Sequence, residues 1–140
     1  MNTLRVKRLH PDAKLPTRAH SVDAGADLYS LESLTVLPGE GAKFSTGIAA
    51  DIQPGYYLHI HTRSSMSKLG WTVVGGVVDA SYKGELFVML RNVSNKALTV
   101  EAGDRIAQII LYPVLIPTIE EVDDIGTSAR GVGGFGSSGK

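Results

Sequence analysis

Short runs of Val, Ile, Leu and Tyr recur along the whole chain, and turn residues such as Pro-Gly pairs separate them. Runs of this length at this spacing are typical of strands in an antiparallel sandwich or barrel. The pattern therefore predicts an all-β fold with strands at residues 4–9, 26–29, 34–37, 41–45, 48–51, 56–62, 72–78, 85–92, 98–100 and 105–113.

One segment alone, residues 64–69, has the character of a helix. Its opening serines suit an N-cap position, and Gly70 behind it suits the C-cap. We expect one short helix of little more than a turn.

The composition changes at Gly126, because six of the last fifteen residues are glycine. Such a stretch cannot build a core, and we expect a β domain over residues 1–125 followed by a flexible arm over residues 126–140. Arg130 and Phe135 are unusual members of an arm that would otherwise be a plain linker.

The length of 140 residues predicts one domain, and the formal net charge of zero argues against binding to duplex nucleic acid. Cysteine is absent, which excludes disulfides and thiolate chemistry. No apolar run is long enough for a membrane span, and the first residues lack a signal-peptide core. We expect a soluble intracellular protein, cytoplasmic or nuclear.

Candidate chemistry lies in four clusters where turn glycines meet polar side chains. In the first, residues 23–30, an aspartate such as Asp27 either bonds within a turn or faces a divalent cation. In the second, residues 62–67, Arg63 and the serines that follow it form either an anion site or a plain helix cap.

The third cluster, residues 74–86, predicts a β-hairpin with a longer loop. Asp79 and Tyr82 in this loop are either turn and packing residues, or a base and a flat face for a sugar. In the fourth, residues 103–109, Asp104 and Arg105 predict a local ion pair. Gln108 interrupts an apolar strand and needs a buried partner or a ligand.

The histidines predict little chemistry. His59 and His61 share one strand face, as some metal ligands do, but no third ligand lies nearby in the sequence. We expect a structural or surface role for both.

These clusters and the arm, in this order, resemble the five sequence motifs of the deoxyuridine triphosphatase (dUTPase) family. The matching blocks are residues 24–28, 63–66, 76–84, 103–109 and 130–137, so the resemblance covers nearly the whole chain. It implies a jelly-roll-like β fold, a homotrimer and active sites shared between subunits. It also implies Mg²⁺-assisted hydrolysis of dUTP to dUMP and pyrophosphate, which limits uracil in DNA and supplies dUMP for dTMP synthesis.

The resemblance assigns roles to residues on the nucleoside side of such a site. Asp79 would orient the attacking water and contact the sugar 3′-hydroxyl. Tyr82 would pack on the deoxyribose and leave no room for a 2′-hydroxyl. The backbone that would read the uracil edge belongs to Val73, Gly76, Val78 and Phe87.

Other residues would serve the phosphates. The phosphate chain would be bound by Arg63, Ser64, Ser65 and Gln108, and Asp27 would hold magnesium through its waters. From the arm, Arg130 would reach the γ-phosphate, Phe135 would stack on uracil, and Gly136 and Ser137 would contact phosphate.

Two other functions compete with this one. Ser65 stands where the second motif often has Gly, and the related deoxycytidine triphosphate deaminases have a similar Arg-Ser-Ser block. Those enzymes use a strand glutamate ten residues beyond the third-motif acid, where this chain has Met89. The third possibility is an interaction protein that keeps the fold without catalysis.

Overall fold

The computed structural model describes residues 3–139, and nearly all of its regular structure is strand. In chain order these residues form β1 (Arg5–Arg8), β2 (Ala26–Tyr29), β3 (Leu34–Val36), β4 (Gly41–Asp51), β5 (Tyr56–His61), α1 (Ser64–Leu69), β6 (Trp71–Val73), β7 (Val77–Val78), β8 (Glu85–Asn92), β9 (Leu98–Val100) and β10 (Arg105–Pro113).

The strands form two four-stranded antiparallel sheets and a two-stranded ribbon. The first sheet has the order β1-β4-β8-β6, the second has the order β2-β10-β5-β7, and the ribbon pairs β3 with β9. Most neighbours in the sheets are far apart in sequence, as in jelly-roll folds. The predicted all-β sandwich with one short helix is confirmed.

The core lies between the sheets and is filled by the apolar positions of alternating strands. Leu28 and Leu58 from the second sheet and Phe44 and Val88 from the first are all at most 1% exposed. Trp71 packs its ring edge-on against Phe44, with 6.5 Å between the ring centroids. This packed core keeps the strand ends, near which the polar residues lie, in fixed positions.

Strand β4 is longer than the sequence pattern predicts. We expected two strands, at residues 41–45 and 48–51, but one strand runs through both. Its pairing with β8 shifts register between Ser45 and Ala49, and Gly47 has a φ of 67° within the shift. The residues that suggested a break instead form a bulge, which bends a strand without ending it.

The prediction of one strand over residues 72–78, forming a hairpin with β8, is wrong. Gly75 and Gly76 have φ angles of 74° and 114°, which interrupt the strand. Strand β7 therefore crosses to the second sheet and pairs with β5, while β8 pairs with β4 and β6. The connection between β7 and β8 thus links the two sheets and carries Asp79 and Tyr82.

The helix lies where it was predicted, but its caps differ from the expectation at one end. Its N-cap is Arg63, which makes no side-chain capping hydrogen bond, so the expected serine cap is wrong. Its C-cap is Gly70 in the left-handed conformation, as expected, and the Gly70 amide donates to the Ser67 carbonyl.

After Pro113 the described chain contains no further helix or strand as far as residue 139. The Val114 amide donates to the Gly55 carbonyl, and every later hydrogen bond in this described segment stays within the segment. Residues 1, 2 and 140, which the predicted boundaries include, lie outside the described part. Across residues 3–139, no helix is both long and apolar enough to cross a membrane.

Candidate active site

A pocket of about 260 Å³ opens between β6 and β8 on one side and β7 on the other. We call it the apolar pocket. Six residues that were predicted to contact the base or the sugar line it, namely Val73, Gly76, Val78, Asp79, Tyr82 and Phe87. Phe135, which was predicted to stack on uracil, does not line it. The structure thus brings together residues from three separate strands and the two loops that connect them.

Backbone atoms form part of the wall of the apolar pocket, and neighbouring strands pack closely against them. The Ile60 amide donates to the Gly76 carbonyl at 2.8 Å, and a Cβ at position 76 would overlap the Ile60 carbonyl oxygen. The Val73 amide donates to Thr62 Oγ1 at 2.9 Å. Because that amide is already used, Val73 can offer a ligand its carbonyl and side chain but not its N–H.

Tyr82 and Asp79 stand at the rim of the apolar pocket. Tyr82 is 43% exposed, and its hydroxyl donates to the Glu85 carbonyl at 2.6 Å. The Tyr82 amide donates to the Asp79 carbonyl at 3.1 Å, so a turn fixes their relative positions. The Asp79 residue is exposed and its carboxylate makes no hydrogen bond with the described residues, so both oxygens can accept protons from a ligand or water.

A second group, which we call the polar cluster, consists of Asp27, Arg63, Ser64, Ser65 and Gln108. Arg63 is its centre. Its Nε donates to Asp27 Oδ1 at 2.7 Å, and its Nη1 donates to Ser65 Oγ at 3.0 Å and to the Arg105 carbonyl at 3.2 Å. Because the two charged side chains are only 20% and 14% exposed, solvent screens this ion pair weakly.

Gln108 joins the polar cluster through the register of the second sheet. On β10 it lies opposite Asp27 of β2 and His61 of β5. Its Nε2 donates to the Thr62 carbonyl at 3.2 Å, which confirms that this polar residue has a partner. Its Oε1 lies so close to Gly25 that a Cβ there would overlap it.

The expected ion pair between Asp104 and Arg105 is wrong. Asp104 Oδ2 accepts a hydrogen bond from the Glu101 amide at 2.9 Å, which closes the turn before β10. Arg105 Nη1 instead lies 3.8 Å from Asp27 Oδ2. Asp104 lies in the turn before β10, whereas Arg105 begins β10 and lies beside β2, the strand that carries Asp27.

The predicted arm residues lie away from both groups. Arg130 and Gly136 are exposed, Phe135 is fully exposed, and Ser137 bonds only within the arm through its amide and the Gly134 carbonyl at 3.2 Å. Phe135 has a φ of 47°, in the left-handed region that bulky residues avoid. In a single chain the arm completes neither the apolar pocket nor the polar cluster.

His59 and His61 stack on β5 with ring centroids 4.2 Å apart, and His61 Nε2 lies 3.0 Å from the Tyr112 hydroxyl. Burial lowers the pKa of His61, and the charge of His59 lowers it further. The contacts of these rings are with each other and with tyrosines, which favours the predicted structural role.

Three residues that the sequence did not single out hold the predicted ones in place. Thr62 bonds to both Val73 and Gln108 and so lies between the apolar pocket and the polar cluster. Gly84 and Glu85 contact Tyr82. Their positions within the predicted clusters were the only signal in the sequence, because residue type alone does not reveal these contacts.

Comparison with known proteins agrees with the motif order. The dUTPase family model matches residues 11–139. A deoxyuridine 5′-triphosphate nucleotidohydrolase from Thermobifida fusca is 45% identical and the match covers 97% of this chain and 78% of that protein. The enzyme of the same name from Clostridium tetani is 43% identical, with 99% and 97% covered.

Solved structures show the same architecture. The Staphylococcus bacteriophage 80alpha dUTPase with dUPNHPP superposes with a TM-score of 0.93, at 31% identity and with both chains fully covered. A dUTPase from phage phi11 of S. aureus, described with a structural Mg(II) ion, superposes with a TM-score of 0.84 at 26% identity, covering 90% of this chain and 100% of that one.

The family match spans more than nine-tenths of the sequence, and the jelly-roll-like fold is shared. The relatives carry one enzymatic name. The chain therefore belongs to the dUTPase family, the nucleotide hydrolases that act on deoxyuridine triphosphate.

Proposed function

We propose that the chain hydrolyses dUTP to dUMP and pyrophosphate in sites that three copies of the chain build together. One observation supports a shared site. No residue of the polar cluster lines the apolar pocket, and the described arm contacts neither group. Within one chain the two groups lie on either side of Thr62, which bonds to a residue of each. A homotrimer would set the pocket of one subunit beside the cluster of another.

The apolar pocket suits a pyrimidine deoxynucleoside. Its wall of backbone around Gly76 and Val78 offers hydrogen-bonding groups at fixed positions, as base recognition requires. Its volume of about 260 Å³ is small for a ligand site, which favours a single ring with its sugar. The Tyr82 face at the rim would pack on the deoxyribose and exclude a 2′-hydroxyl.

Asp79 is the candidate general base. Hydrolysis of a phosphoanhydride needs a positioned water and charge neutralisation rather than covalent catalysis. The exposed Asp79 carboxylate at the pocket rim can accept the proton of a water that attacks the α-phosphate. Its second oxygen can accept the hydrogen bond of the sugar 3′-hydroxyl.

The polar cluster suits the triphosphate. Two of the three guanidinium nitrogens of Arg63 are committed to Asp27, Ser65 and the Arg105 carbonyl. Its Nη2 remains available, and the side chain is held in place before any anion arrives. Hydroxyls of Ser64 and Ser65 and the amide of Gln108 complete a set of donors for phosphate oxygens.

The cluster also fits a magnesium ion held mainly by the substrate. Within residues 3–139, no group of three or more His, Cys, Asp or Glu could hold a metal alone. Mg²⁺ in phosphate sites is usually bound by one or two carboxylates together with the phosphates. Asp27 is the carboxylate of the cluster, and its Oδ2 can accept hydrogen bonds from the ion's waters. When bound, the ion would neutralise phosphate charge.

The arm would complete the site as a lid from a third subunit. Phe135 presents an exposed ring that can stack on uracil, and Arg130 carries a charge that can reach the γ-phosphate. Gly136 and Ser137 follow directly and would contact phosphate. Residues 126–140 thus form a unit separate in function from the β domain of residues 1–125.

Uncovered apolar surface supports association. The exposed apolar side chains after β10 include Leu115, Ile116, Ile119 and Ile125. Beside them a groove of about 900 Å³ runs from Tyr56 to Ile116 along the loop that carries Asp79. Surfaces of this kind on a small protein mark contact sites.

Deamination of dCTP has no support at the apolar pocket. The position at which the deaminases carry a glutamate is Met89, which lines this pocket and cannot accept a proton at neutral pH. We expect no ammonia release from dCTP, and its appearance would overturn this ranking.

The test of the proposed function is the Asp79→Asn variant, assayed for pyrophosphate release from dUTP with Mg²⁺. The change removes the proton acceptor and almost no packing, so we expect turnover to fall by about 10² to 10⁴-fold while the trimer persists. Asp12→Asn changes another exposed acid, outside both groups, and serves as the matched control. Rates close to wild type for Asp79→Asn would remove Asp79 from catalysis.

A further inference from the structure

Two contacts and one missing side chain determine the position of Tyr82 in the apolar pocket. We propose that Glu85 is a positioning residue that fixes the Tyr82 ring and thereby sets the selection of deoxyribose over ribose. The inference rests on the role proposed above for Tyr82 and adds the device that makes that role possible.

The first contact in this device joins the Tyr82 hydroxyl to the Glu85 carbonyl oxygen, 2.6 Å away. An exposed tyrosine would otherwise exchange between rotamers within nanoseconds. The hydrogen bond spans only three residues, so it folds the ring back over the chain that carries it. The ring position therefore depends on where the Glu85 carbonyl lies.

The second contact fixes the backbone of Glu85 itself. Its carboxylate Oε1 accepts hydrogen bonds from Ser45 Oγ and from the Gly47 amide, the latter at 2.6 Å. Gly47 lies in the bulge of β4, where the shifted register leaves an amide without a strand partner. Glu85 satisfies this amide with its side chain while its carbonyl holds Tyr82, so the bulge and the ring are linked through one residue.

The third contribution is the absence of a side chain at Gly84. A Cβ there would lie 2.7 Å from the Tyr82 hydroxyl oxygen and 2.8 Å from Cζ. No alanine could occupy that space without displacing the ring. The glycine is thus explained by the tyrosine that folds over it, since its φ does not require glycine.

Together these contacts hold the ring in the lining of the apolar pocket, to which Asp79 also belongs. Selection against a single hydroxyl depends on a wall that does not yield, because a mobile wall would make room for it. A ring released from Glu85 would still cover deoxyribose but would no longer exclude the 2′-hydroxyl. We therefore expect the loss to affect discrimination more than turnover of dUTP.

The experiment compares kcat/KM for dUTP with kcat/KM for UTP. In Glu85→Ala we expect the ratio to fall about tenfold, the scale of one lost hydrogen bond, mainly through a gain with UTP. Glu85→Gln keeps an Oε1 that can accept from both Ser45 and Gly47, and it should keep a ratio near that of wild type. A wild-type ratio in Glu85→Ala would overturn the inference.

Gly84→Ala provides an independent variant, because position 84 is exposed and Glu85 keeps its anchor. We expect a wild-type melting temperature with a reduced ratio. Should Glu85→Ala fail to fold, an unchanged ratio in Gly84→Ala would by itself refute the inference.

Tyr82→Ala separates this inference from the proposed function. A reduced ratio in Tyr82→Ala, together with unchanged ratios in Glu85→Ala and Gly84→Ala, would refute the positioning device and leave the sugar role of Tyr82 intact. An unchanged ratio in Tyr82→Ala would refute the sugar role itself, and the inference with it.

Discussion

Gln108 depends on the absence of a side chain at a neighbouring residue. Its amide oxygen occupies the space where a Cβ of residue 25 would be, and its nitrogen is held by the Thr62 carbonyl. Gly25 lies just before β2, the strand that pairs with β10 in the second sheet. Gly25 and Thr62, which belong to different clusters in the sequence, thus determine the position of the Gln108 amide in the polar cluster.

Gly25→Ala should therefore damage phosphate binding without unfolding the protein. The φ of Gly25 is not in the left-handed region, so the new methyl costs no backbone strain and acts by displacing Gln108. We expect kcat/KM for dUTP to fall by about 10 to 100-fold, since small misplacements of a binding group have effects of this size. Steady-state kinetics and a melting curve measure the two effects.

Gly41→Ala is the control for Gly25→Ala. Its Cβ would lie 3.3 Å from the Leu90 carbonyl oxygen, on the first sheet and outside both groups. Wild-type kinetics in Gly25→Ala, or an equal loss in Gly41→Ala, would show that the space at position 25 does not control Gln108.

Residue types were predictable from the sequence, but their partners were not. A charged, hydroxyl or amide side chain at a turn can be recognised in the amino-acid sequence. Asp104 and Arg105 illustrate the limit, because the sequence favours the adjacent pair while strand geometry sends Arg105 to Asp27. The Arg63–Asp27 pair joins residues 36 positions apart and had no local signal.

Strands β5 and β10 carry a group of rings on one face, where His59 stacks on His61 and Tyr57 stacks on Tyr112. Burial, and then the neighbouring His59, lowers the pKa of His61 below its ordinary value of 6.5. The folded chain thus disfavours the charged imidazole more than the unfolded chain does.

This lowered pKa predicts a pH dependence of stability. Below pH 6.5 the unfolded state binds more protons at His61 than the folded state, so the free energy of unfolding must fall as pH falls toward the lowered pKa. We expect the melting temperature of the wild type to drop between about pH 7 and pH 5 by more than that of His61→Gln.

Thermal melts across this pH range would check the prediction, and His20→Gln controls for the loss of an imidazole as such. Parallel curves for wild type and His61→Gln would show that His61 does not contribute.

At the level of elements, strand positions were more predictable than strand pairing. The apolar runs predicted nearly every strand, because the side chains that a strand buries are apolar residues of that strand itself. The hairpin between β7 and β8 was wrong because pairing depends on contacts far apart in sequence, and Gly75 and Gly76 redirect the chain between sheets. A bulge such as that of β4 leaves an equally weak signal.

On the scale of the whole molecule, the β domain and the arm differ in what holds them. The domain has a core common to both sheets, whereas the described residues after Val114, which include the arm, form hydrogen bonds only among themselves. The arm therefore adds little to the stability of a single chain. Phe135 and Arg130 are exposed in the single chain, and the proposed function assigns them to a nucleotide bound at another subunit.

Deletion of residues 126–140 should thus abolish most activity and leave stability nearly unchanged. The removed residues contribute nothing to the core, while the lid they form would exclude water and hold the γ-phosphate. Pyrophosphate release and a melting curve on the same preparation test this. A large fall in melting temperature with preserved turnover would contradict the role of the arm.

Shared sites predict recovery of activity when two inactive variants are mixed. Asp79→Asn disables the nucleoside side, and Arg63→Ala disables the phosphate side. If a site takes these groups from different subunits, trimers formed by refolding both variants together contain some intact sites. We expect each variant alone to be inactive and the mixture to regain a substantial fraction of wild-type activity.

The matched comparison refolds Asp79→Asn together with an Asp79→Asn, Arg63→Ala double variant, which cannot produce an intact site. Activity no higher in the first mixture than in this one would show that a single chain supplies both groups.

Trimer formation was implied by family resemblance and by no pattern of hydrophobic positions. Residues 115 to 125 mix apolar and acidic side chains in the sequence, and only the folded chain shows that Leu115 and Ile119 are exposed. A sequence shows which side chains are apolar, but it does not show whether residues of the same chain or of another chain bury them.

The burial of Trp71 has a practical consequence. It is the single tryptophan of the chain, 2% exposed and packed edge-on against Phe44, far from the arm in sequence. Its fluorescence is therefore a built-in reporter of the β core. Emission and product formation followed in one cuvette can separate a variant that has lost its fold from one that has lost only its chemistry.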